Sequence, residues 1–257
     1  ADKKDASKSI VTSLSASHSH NNALQGRHLA IWNSHGRYYN QIEGKWIWQR
    51  ARLMGIVEDM YTTDYVLTYL LPMLENAGAN VFVPRERDLN TNEYIIDNDL
   101  CNGLYTEHGA WKDGSKKGFA HTQEVYEGFI NPFEQGTYRW CKSTTSNTTA
   151  SITWQIPIAQ SGTHAVYVSY SQVKNGASDA RYQVYHAGGV SEYSVNQTMG
   201  GGTWIYLGTF DFEQGGDNKV VLTNQSSKAG EFITADAVKV GGGMGSIARK
   251  PCLTPRK

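Results

Sequence analysis

The chain has 257 residues and carries 24 Lys and Arg against 24 Asp and Glu, so its formal net charge is zero. This length is enough for two domains of ordinary size. The balanced charge excludes the basic surface that a nucleic-acid-binding protein needs, and no apolar run approaches the roughly 18 to 20 residues of a membrane-spanning helix. We therefore expect a two-part chain with neither a nucleic-acid partner nor a membrane span.

Glycine divides the sequence near residue 120. Nine of the 26 glycines lie before residue 121 and 17 lie after it, whereas Tyr and Trp occur in both parts. Turn-rich, aromatic-rich sequence is typical of an all-β unit, so the second part is predicted to differ in fold from the first. The three cysteines, Cys101, Cys141 and Cys252, form no CxxC pair; one Cys101–Cys141 bridge and three free thiols are the alternatives.

The first part begins with a polar segment. Residues 1–27 are rich in Ser, His and Asn, and we expect a flexible lead-in that is partly disordered or wraps around the domain. The run HLAIWN (28–33) is typical of a buried strand, and it ends in the turn-prone SHG.

A helix and a second strand come next. From Glu58 to Ala77 apolar residues recur at spacings of three and four, which predicts a helix that buries Tyr65, Tyr69 and Met73 and is bent by Pro72. Gly78 is placed to end this helix. NVFVPRERD (80–88) predicts a strand parallel to the first, so residues 28–120 contain one βαβ unit and a connector.

The second part predicts an antiparallel sheet structure. Short runs of alternating apolar and polar residues are separated by Gly-rich turns at intervals of about a dozen residues. They are SITWQIP (151–157), HAVYVSY (164–170), ARYQVYH (180–186), VSEYSVN (190–196), TWIYLGTF (203–210), KVVLT (219–223) and FITADAVKV (232–240). The predicted fold class is therefore α/β plus β: a partial α/β unit followed by an antiparallel, jelly-roll-like β-sandwich.

These strands carry a family pattern. WQIPIAQSGTHAVYVSY, DARYQVYHAGG, VNQTMGGGTWIYLGTFDF and ADAVKVGGGMGSIAR occur in that order. Together they resemble the golvesin C-terminal domain, or xanthan-lyase carbohydrate-binding-like domain, over about residues 121–249, which leaves 250–257 as a basic tail. The resemblance implies a β-sandwich that binds polysaccharide, in a bacterial protein that is secreted, periplasmic or on the cell surface.

The first part resembles another family. HLAIWNSHG (28–36), VEDMYTTDYVLTYLLPMLENAGANVFV (57–83) and RERD (85–88) follow the order found at the start of zinc-dependent N-acetylmuramoyl-L-alanine amidases, over about residues 28–100. This amidase-like resemblance implies that His35 and Glu58 are zinc ligands. Glu43 is an alternative, because the loop after His35 is longer than the family usually has.

A catalytic zinc site needs three protein ligands and an open position for water. The family's third ligand and base have no counterpart here, so the resemblance implies a fragment whose missing C-terminal half resumes beyond the β-module. Without the resemblance, His35 and Glu58 are better explained as a strand-end histidine and a carboxylate stabilised by the helix dipole.

Aromatic side chains of the predicted sandwich are candidates for stacking on sugar rings. The candidates are Trp204, Trp140 and Tyr193, and Trp204, beside glycines 200–202, is expected to be the most exposed; Trp154 is expected in the core. Asp236 lies among apolar strand residues. We expect it to accept a structural hydrogen bond at a turn rather than to bind calcium, which needs several converging oxygens.

The sequence supports two functional hypotheses. The first is a fragment of a cell-wall-directed zinc hydrolase that acts on peptidoglycan and carries a carbohydrate-binding sandwich; this chain alone would be inactive. The alternative is a non-catalytic polysaccharide-binding protein. In either case the first part is too small to close a parallel sheet, so we expect an exposed apolar sheet edge or a segment that covers it.

Overall fold

A computed structural model describes residues 9–15, 23–40, 42–43, 45–83, 87–88, 92–100, 102–115, 117–120 and 130–242. The predicted tail (250–257), Cys101 and Cys252 lie outside these residues. In the described part of the chain, no helix is both long and apolar enough to cross a membrane.

Strands dominate the described residues. In chain order they are β1 (Val11–Ser13), β2 (His28–Ala30), β3 (Arg37–Asn40), β4 (Lys45–Trp48), β5 (Asn80–Phe82), β6 (Glu93–Ile96), β7 (Tyr105–His108), β8 (Lys112–Asp113), β9 (Arg139–Lys142), β10 (Ser151–Gln155), β11 (Gly162–Val168), β12 (Ala180–His186), β13 (Gly189–Val195), β14 (Ile205–Phe212), β15 (Lys219–Thr223), β16 (Phe232–Ala235) and β17 (Val238–Gly241). Helix α1 (Glu58–Tyr65) continues through a π-helical turn (Val66–Leu70) into α2 (Leu71–Asn76), and a 3-10 turn spans Pro132–Glu134.

Most strands form antiparallel sheets. The order is β1-β13-β12-β15-β10-β7 in a six-stranded sheet, β14-β11-β17-β6 in a four-stranded sheet and β16-β9-β8 in a three-stranded sheet. One apolar core joins them and includes Trp154, Tyr182 and Phe212. The predicted β-sandwich is confirmed and all seven predicted strands are present, although the last run is split at Asp236 into β16 and β17, which lie in different sheets. The jelly-roll assignment stays a prediction.

The sandwich includes residues on the N-terminal side of residue 121. β1 lies inside the predicted flexible lead-in and pairs with β13, with Val11 opposite Val195. β6, β7 and β8 lie in the predicted connector and pair with β17, β10 and β9. The lead-in is therefore not wholly flexible, and the connector supplies three strands to these sheets. Runs of two to four residues are too short to show a period, which is why the sequence pattern missed them.

The first part contains one parallel pair of strands. β2 pairs with β5, with His28 opposite Asn80, and the helix lies between them along the chain. The helix ends as predicted: Gly78 has φ +93°, and the amide of Ala79 donates to the carbonyl of Leu74 at 3.0 Å. Two strands and a helix do not identify an amidase, so that assignment stays a prediction.

The face that the helix buries differs from the predicted one. Tyr65, Tyr69 and Met73 are 56%, 60% and 68% exposed, whereas Asp59 and Thr63 are buried. The buried residues of α1 are polar: Asp59 accepts a hydrogen bond from the amide of Arg50 and Thr63 accepts one from Asn33, while Leu71 is the buried residue of α2. The apolar residues that recur along the helix therefore lie on its exposed side rather than on its buried side.

Candidate functional site

The predicted zinc ligands do not meet. His35 lies in the loop after β2, and the guanidinium of Arg50 lies against its ring, with Nε donating to Nδ1 at 3.2 Å and Nη2 3.0 Å from Nε2. The carboxylate that faces the ring is buried Asp59, whose Oδ1 is 3.5 Å from His35 Nδ1. Glu58, the first residue of α1, is exposed, and Glu43 is exposed beside Asn40.

These contacts do not fit a zinc site of the predicted kind. Both ring nitrogens of His35 face an arginine cation, although a histidine binds zinc through an available nitrogen lone pair. Across the described ranges, no three His, Cys, Asp or Glu side chains converge as a metal site would require. We therefore assign no catalytic step to zinc.

Two of the three predicted sugar-binding aromatics lie against the core. Trp204 packs on Phe119 and Phe133, with ring centroids 4.9 and 5.3 Å away, and its Nε1 is buried. Tyr193 is 9% exposed and packs on Phe210; burial raises the pKa of its hydroxyl to about 12. Trp204 is partly exposed, as Trp140 is, although segments more than 70 residues earlier in the chain fold against its ring; that it is the most exposed candidate stays a prediction.

Trp140 is the third of these predicted aromatics. It lies on β9, is partly exposed, and makes an edge contact with Phe232 of β16 at a centroid distance of 5.0 Å. Lys112 Nζ is 5.2 Å from the Trp140 ring centroid, and Lys142 Nζ is 3.4 Å from that of Phe232. We call Trp140, Phe232, Lys112 and Lys142 the Trp140 surface.

Strand pairing places the Trp140 surface on one side of its sheet. Lys112 is opposite Trp140 and Lys142 is opposite Phe232. Residues two apart on a strand share a face, so all four side chains lie on the same side, while Cys141 points into the core. The indole is held by a hydrogen bond from its Nε1 to the carbonyl of Asp113 at 3.1 Å.

Sequence reasoning missed three members of this surface. Phe232, Lys112 and Lys142 were not candidates, because the pairing of β9 with β8 and β16 joins residues far apart in the chain. The alternation in RWCK was the available signal, since it places Trp140 and Lys142 on the side away from Cys141. An aromatic face flanked by ammonium groups can stack on the apolar face of a sugar ring and attract a carboxylate.

A buried acidic group lies at the other end of β16. Asp236 Oδ2 accepts hydrogen bonds from the amide of Phe119 at 2.9 Å and from Ser169 Oγ at 2.8 Å, so a structural hydrogen bond of the predicted kind is present. Burial, together with the charges of Asp97 and Asp99, raises the pKa of Asp236 well above its ordinary value. Burial also raises the pKa of Asp97 to about 7.

Comparisons with known proteins match the sandwich. The Golvesin C-terminal domain family matches residues 94–242, so the match starts in β6 rather than at residue 121. A xanthan lyase of Bacillus sp. (strain GL1) is 30% identical over 146 residues, which are 56% of this chain and 14% of that protein. The chain therefore spans about a seventh of this relative's length.

Two solved structures are similar over the same part. A Paenibacillus xanthan lyase is 27% identical with a TM-score of 0.45, over 59% of this chain and 13% of that one. The C-terminal carbohydrate-binding module of a laminarinase from Zobellia galactanivorans is 17% identical with a TM-score of 0.34, over 58% of this chain and 99% of that one. Because the family match covers more than half of its residues, the chain belongs to the Golvesin C-terminal domain family.

Proposed function

We propose that this chain is a non-catalytic module that binds an extracellular polysaccharide through the Trp140 surface. The observation that carries the proposal is a partly exposed indole, fixed by a hydrogen bond and flanked by Phe232 and two lysines, on the face of its sheet that points away from the core. The relative that shares the sandwich sequence is a xanthan lyase, which supports xanthan as the first ligand to test.

The binding chemistry can be derived from the side chains. The ring of Trp140 removes apolar sugar C–H groups from water, and the ammonium groups of Lys112 and Lys142 attract carboxylates of an acidic polymer. Contact over about 50 to 100 Å² of apolar surface is worth about 1 to 2.5 kcal/mol, or roughly a 5- to 70-fold change in Kd.

Affinity gel electrophoresis tests the proposal. We expect xanthan in the gel to retard the wild-type chain, and Trp140→Ala to lose this retardation because the stacking ring is gone. Trp32→Ala is the matched control, since Trp32 is an exposed tryptophan outside the sandwich sheets. Retardation of a folded Trp140→Ala variant to the wild-type extent would contradict the proposal.

The zinc amidase hypothesis rests on sequence resemblance alone. It predicts that a longer natural form of the protein, extending beyond residue 257, contains zinc and that His35→Ala and Glu58→Ala each lower the zinc content. Unchanged zinc content in both variants, or no zinc in the parent, would remove the hypothesis and with it the reason to expect peptidoglycan as substrate.

A further inference from the structure

We propose that the sandwich binds one divalent cation, with Ca²⁺ as the best match, through side-chain oxygens of Asp97, Asn98 and Asp236. The proposal is independent of polysaccharide binding, and it departs from the expectation from sequence that Asp236 does not bind calcium. The proposed site lies where β6 ends and where the chain passes from β16 to β17.

Three oxygen atoms at this junction are buried and lack a hydrogen-bond partner among the described residues. They are Asp97 Oδ2, Asn98 Oδ1 and Asp236 Oδ1. The side chains of Asp97 and Asp236 are 0% and 1% exposed. Burying an acceptor without a hydrogen-bond partner destabilises the folded state, and burying two carboxylates without a cation destabilises it more.

Strand pairing brings these residues together. Ile96, the last residue of β6, is opposite Val238, the first residue of β17. Asp97 and Asp236 therefore both lie just beyond this end of the paired strands. The charges of Asp97 and Asp99 both raise the pKa of the Asp236 carboxyl, which is the effect expected of nearby carboxylates. In the described part of the chain, no Lys or Arg forms an ion pair with Asp97 or Asp236 or acts on either carboxyl.

The remaining polar atoms of the three side chains are already engaged. Asp236 Oδ2 accepts from Phe119 and Ser169, Asp97 Oδ1 accepts from the amide of Asp99 at 3.3 Å, and Asn98 Nδ2 donates to Thr137 Oγ1 at 2.9 Å. These contacts hold the carboxylates and the amide in place. The unpartnered oxygens therefore belong to side chains that are already held in place rather than to a mobile acidic surface.

The donor atoms select the class of metal. Two carboxylate oxygens and an amide oxygen are hard ligands that suit Ca²⁺ or Mg²⁺ rather than zinc, which prefers nitrogen and sulfur. Ca²⁺ accepts irregular sets of six to eight oxygens, and water and backbone carbonyls complete such sets. This set contains two carboxylates rather than three, which agrees with the lack of a converging group of three His, Cys, Asp or Glu in the described ranges.

Thermal unfolding of the whole chain after EDTA treatment tests the proposal. We expect Ca²⁺ at about 100 times its Kd to raise Tm by about 5 to 10 °C, because a ligand that binds only the folded state stabilises it. Asp97→Asn should require at least tenfold more Ca²⁺ for the same shift. Asp217→Asn, which removes an exposed carboxylate elsewhere, should respond as the wild type does.

Equilibrium dialysis of the wild-type chain with Ca²⁺ keeps the proposal testable if Asp97→Asn does not fold. We expect about one bound ion per chain, since one acceptor set is present. No bound Ca²⁺ at about 5 mM, several times the Kd of about 1 mM at the weak end of extracellular calcium sites, would overturn the proposal. An Asp97→Asn variant that keeps the full Ca²⁺ response would also overturn it. So would a higher Tm for Asp97→Asn than for a wild type that does not respond to Ca²⁺, because a proton rather than Ca²⁺ would then neutralise the carboxylates.

Discussion

Gly118 and Gly136 lie where two backbone segments cross too closely for any side chain. Their amides and carbonyls exchange hydrogen bonds of 2.9 Å in both directions. A Cβ on Gly136 would lie 2.0 Å from the carbonyl oxygen of Phe119, and one on Gly118 would lie 1.8 Å from that of Thr137. The crossing therefore positions Phe119, whose amide donates to Asp236.

Gly136→Ala should lower the free energy of unfolding by roughly 2 to 3 kcal/mol, because backbone rather than a flexible side chain must move. The matched control is Gly162→Ala, whose Cβ would meet only His164 Cε1 at 3.7 Å, with an expected change within about 0.5 kcal/mol. Urea unfolding of the two variants measures the difference. Equal stabilities would contradict the steric argument.

At the scale of elements, one ion pair joins strands of different sheets. Arg139 of β9 donates from Nε and Nη2 to the two carboxylate oxygens of Glu107 on β7, at 2.6 and 2.9 Å. Tyr105 donates to the same carboxylate at 2.7 Å, and Asp113 pairs with Arg139. Burial by itself raises the pKa of Glu107, but the hydrogen bonds from Arg139 and Tyr105 and the arginine charge outweigh it, so the pKa is lowered.

A lowered pKa in the folded state stabilises the protein at neutral pH, and this stabilisation is lost as pH falls from the ordinary value of 4.5 through the folded value. We expect Tm of the wild type to fall more between about pH 5 and pH 3 than Tm of Glu107→Gln, which has no charge to lose. Glu213→Gln is the control: because Glu213 is exposed, this variant should keep the pH dependence of Tm of the wild type. The same pH dependence in wild type and Glu107→Gln would contradict the assignment.

The helix presents a second feature at this scale, an exposed aromatic stripe. Tyr61, Tyr65 and Tyr69 succeed one another at four-residue spacing, with ring centroids 4.7 and 6.0 Å apart. An exposed apolar stripe should bind the dye ANS. Replacing all three tyrosines by Ser should lower ANS fluorescence while far-ultraviolet circular dichroism is unchanged; undiminished fluorescence would place the dye elsewhere.

Sequence patterns predicted these elements unequally. The seven long alternating strands and the Gly78 helix stop were predictable, because a period or a left-handed glycine belongs to the local chain. The short strands β1, β6 and β7 were not, since their existence depends on distant partners. The buried helix face was mistaken because Asp59 and Thr63 are buried by hydrogen bonds. The Trp140 surface was predicted only through Trp140 itself, as its other members meet across strand pairs.

At the scale of the whole molecule, the first part of the chain is attached to the sandwich by the segment after β5. The guanidinium of Arg87 stacks on Tyr206 at 3.9 Å and pairs with Glu75 at 2.6 Å. Asp88 accepts a hydrogen bond from the amide of Ala165 on β11 at 2.8 Å. The RERD segment (85–88), which is part of the amidase-like resemblance, therefore includes two residues that join the two parts.

The proposed role of the Trp140 surface predicts that polysaccharide binding depends on the charge of the ligand. Replacing Lys112 and Lys142 by Gln should weaken binding to carboxymethylcellulose and leave binding to hydroxyethylcellulose unchanged, because the two polymers share a backbone and differ in carboxylates. Added salt should weaken only the carboxylate-dependent part. Equal losses on both polymers would show that the lysines act through packing rather than charge.

The proposed binding of polysaccharide depends most on the Trp140 ring as the ligand-binding face. Isothermal titration of xanthan fragments into the wild-type chain and into folded Trp140→Ala tests it most directly. We predict a Kd for Trp140→Ala that is larger by roughly 5-fold or more, with Trp32→Ala unchanged. Equal Kd values for the wild type and Trp140→Ala would contradict the proposed role of the ring.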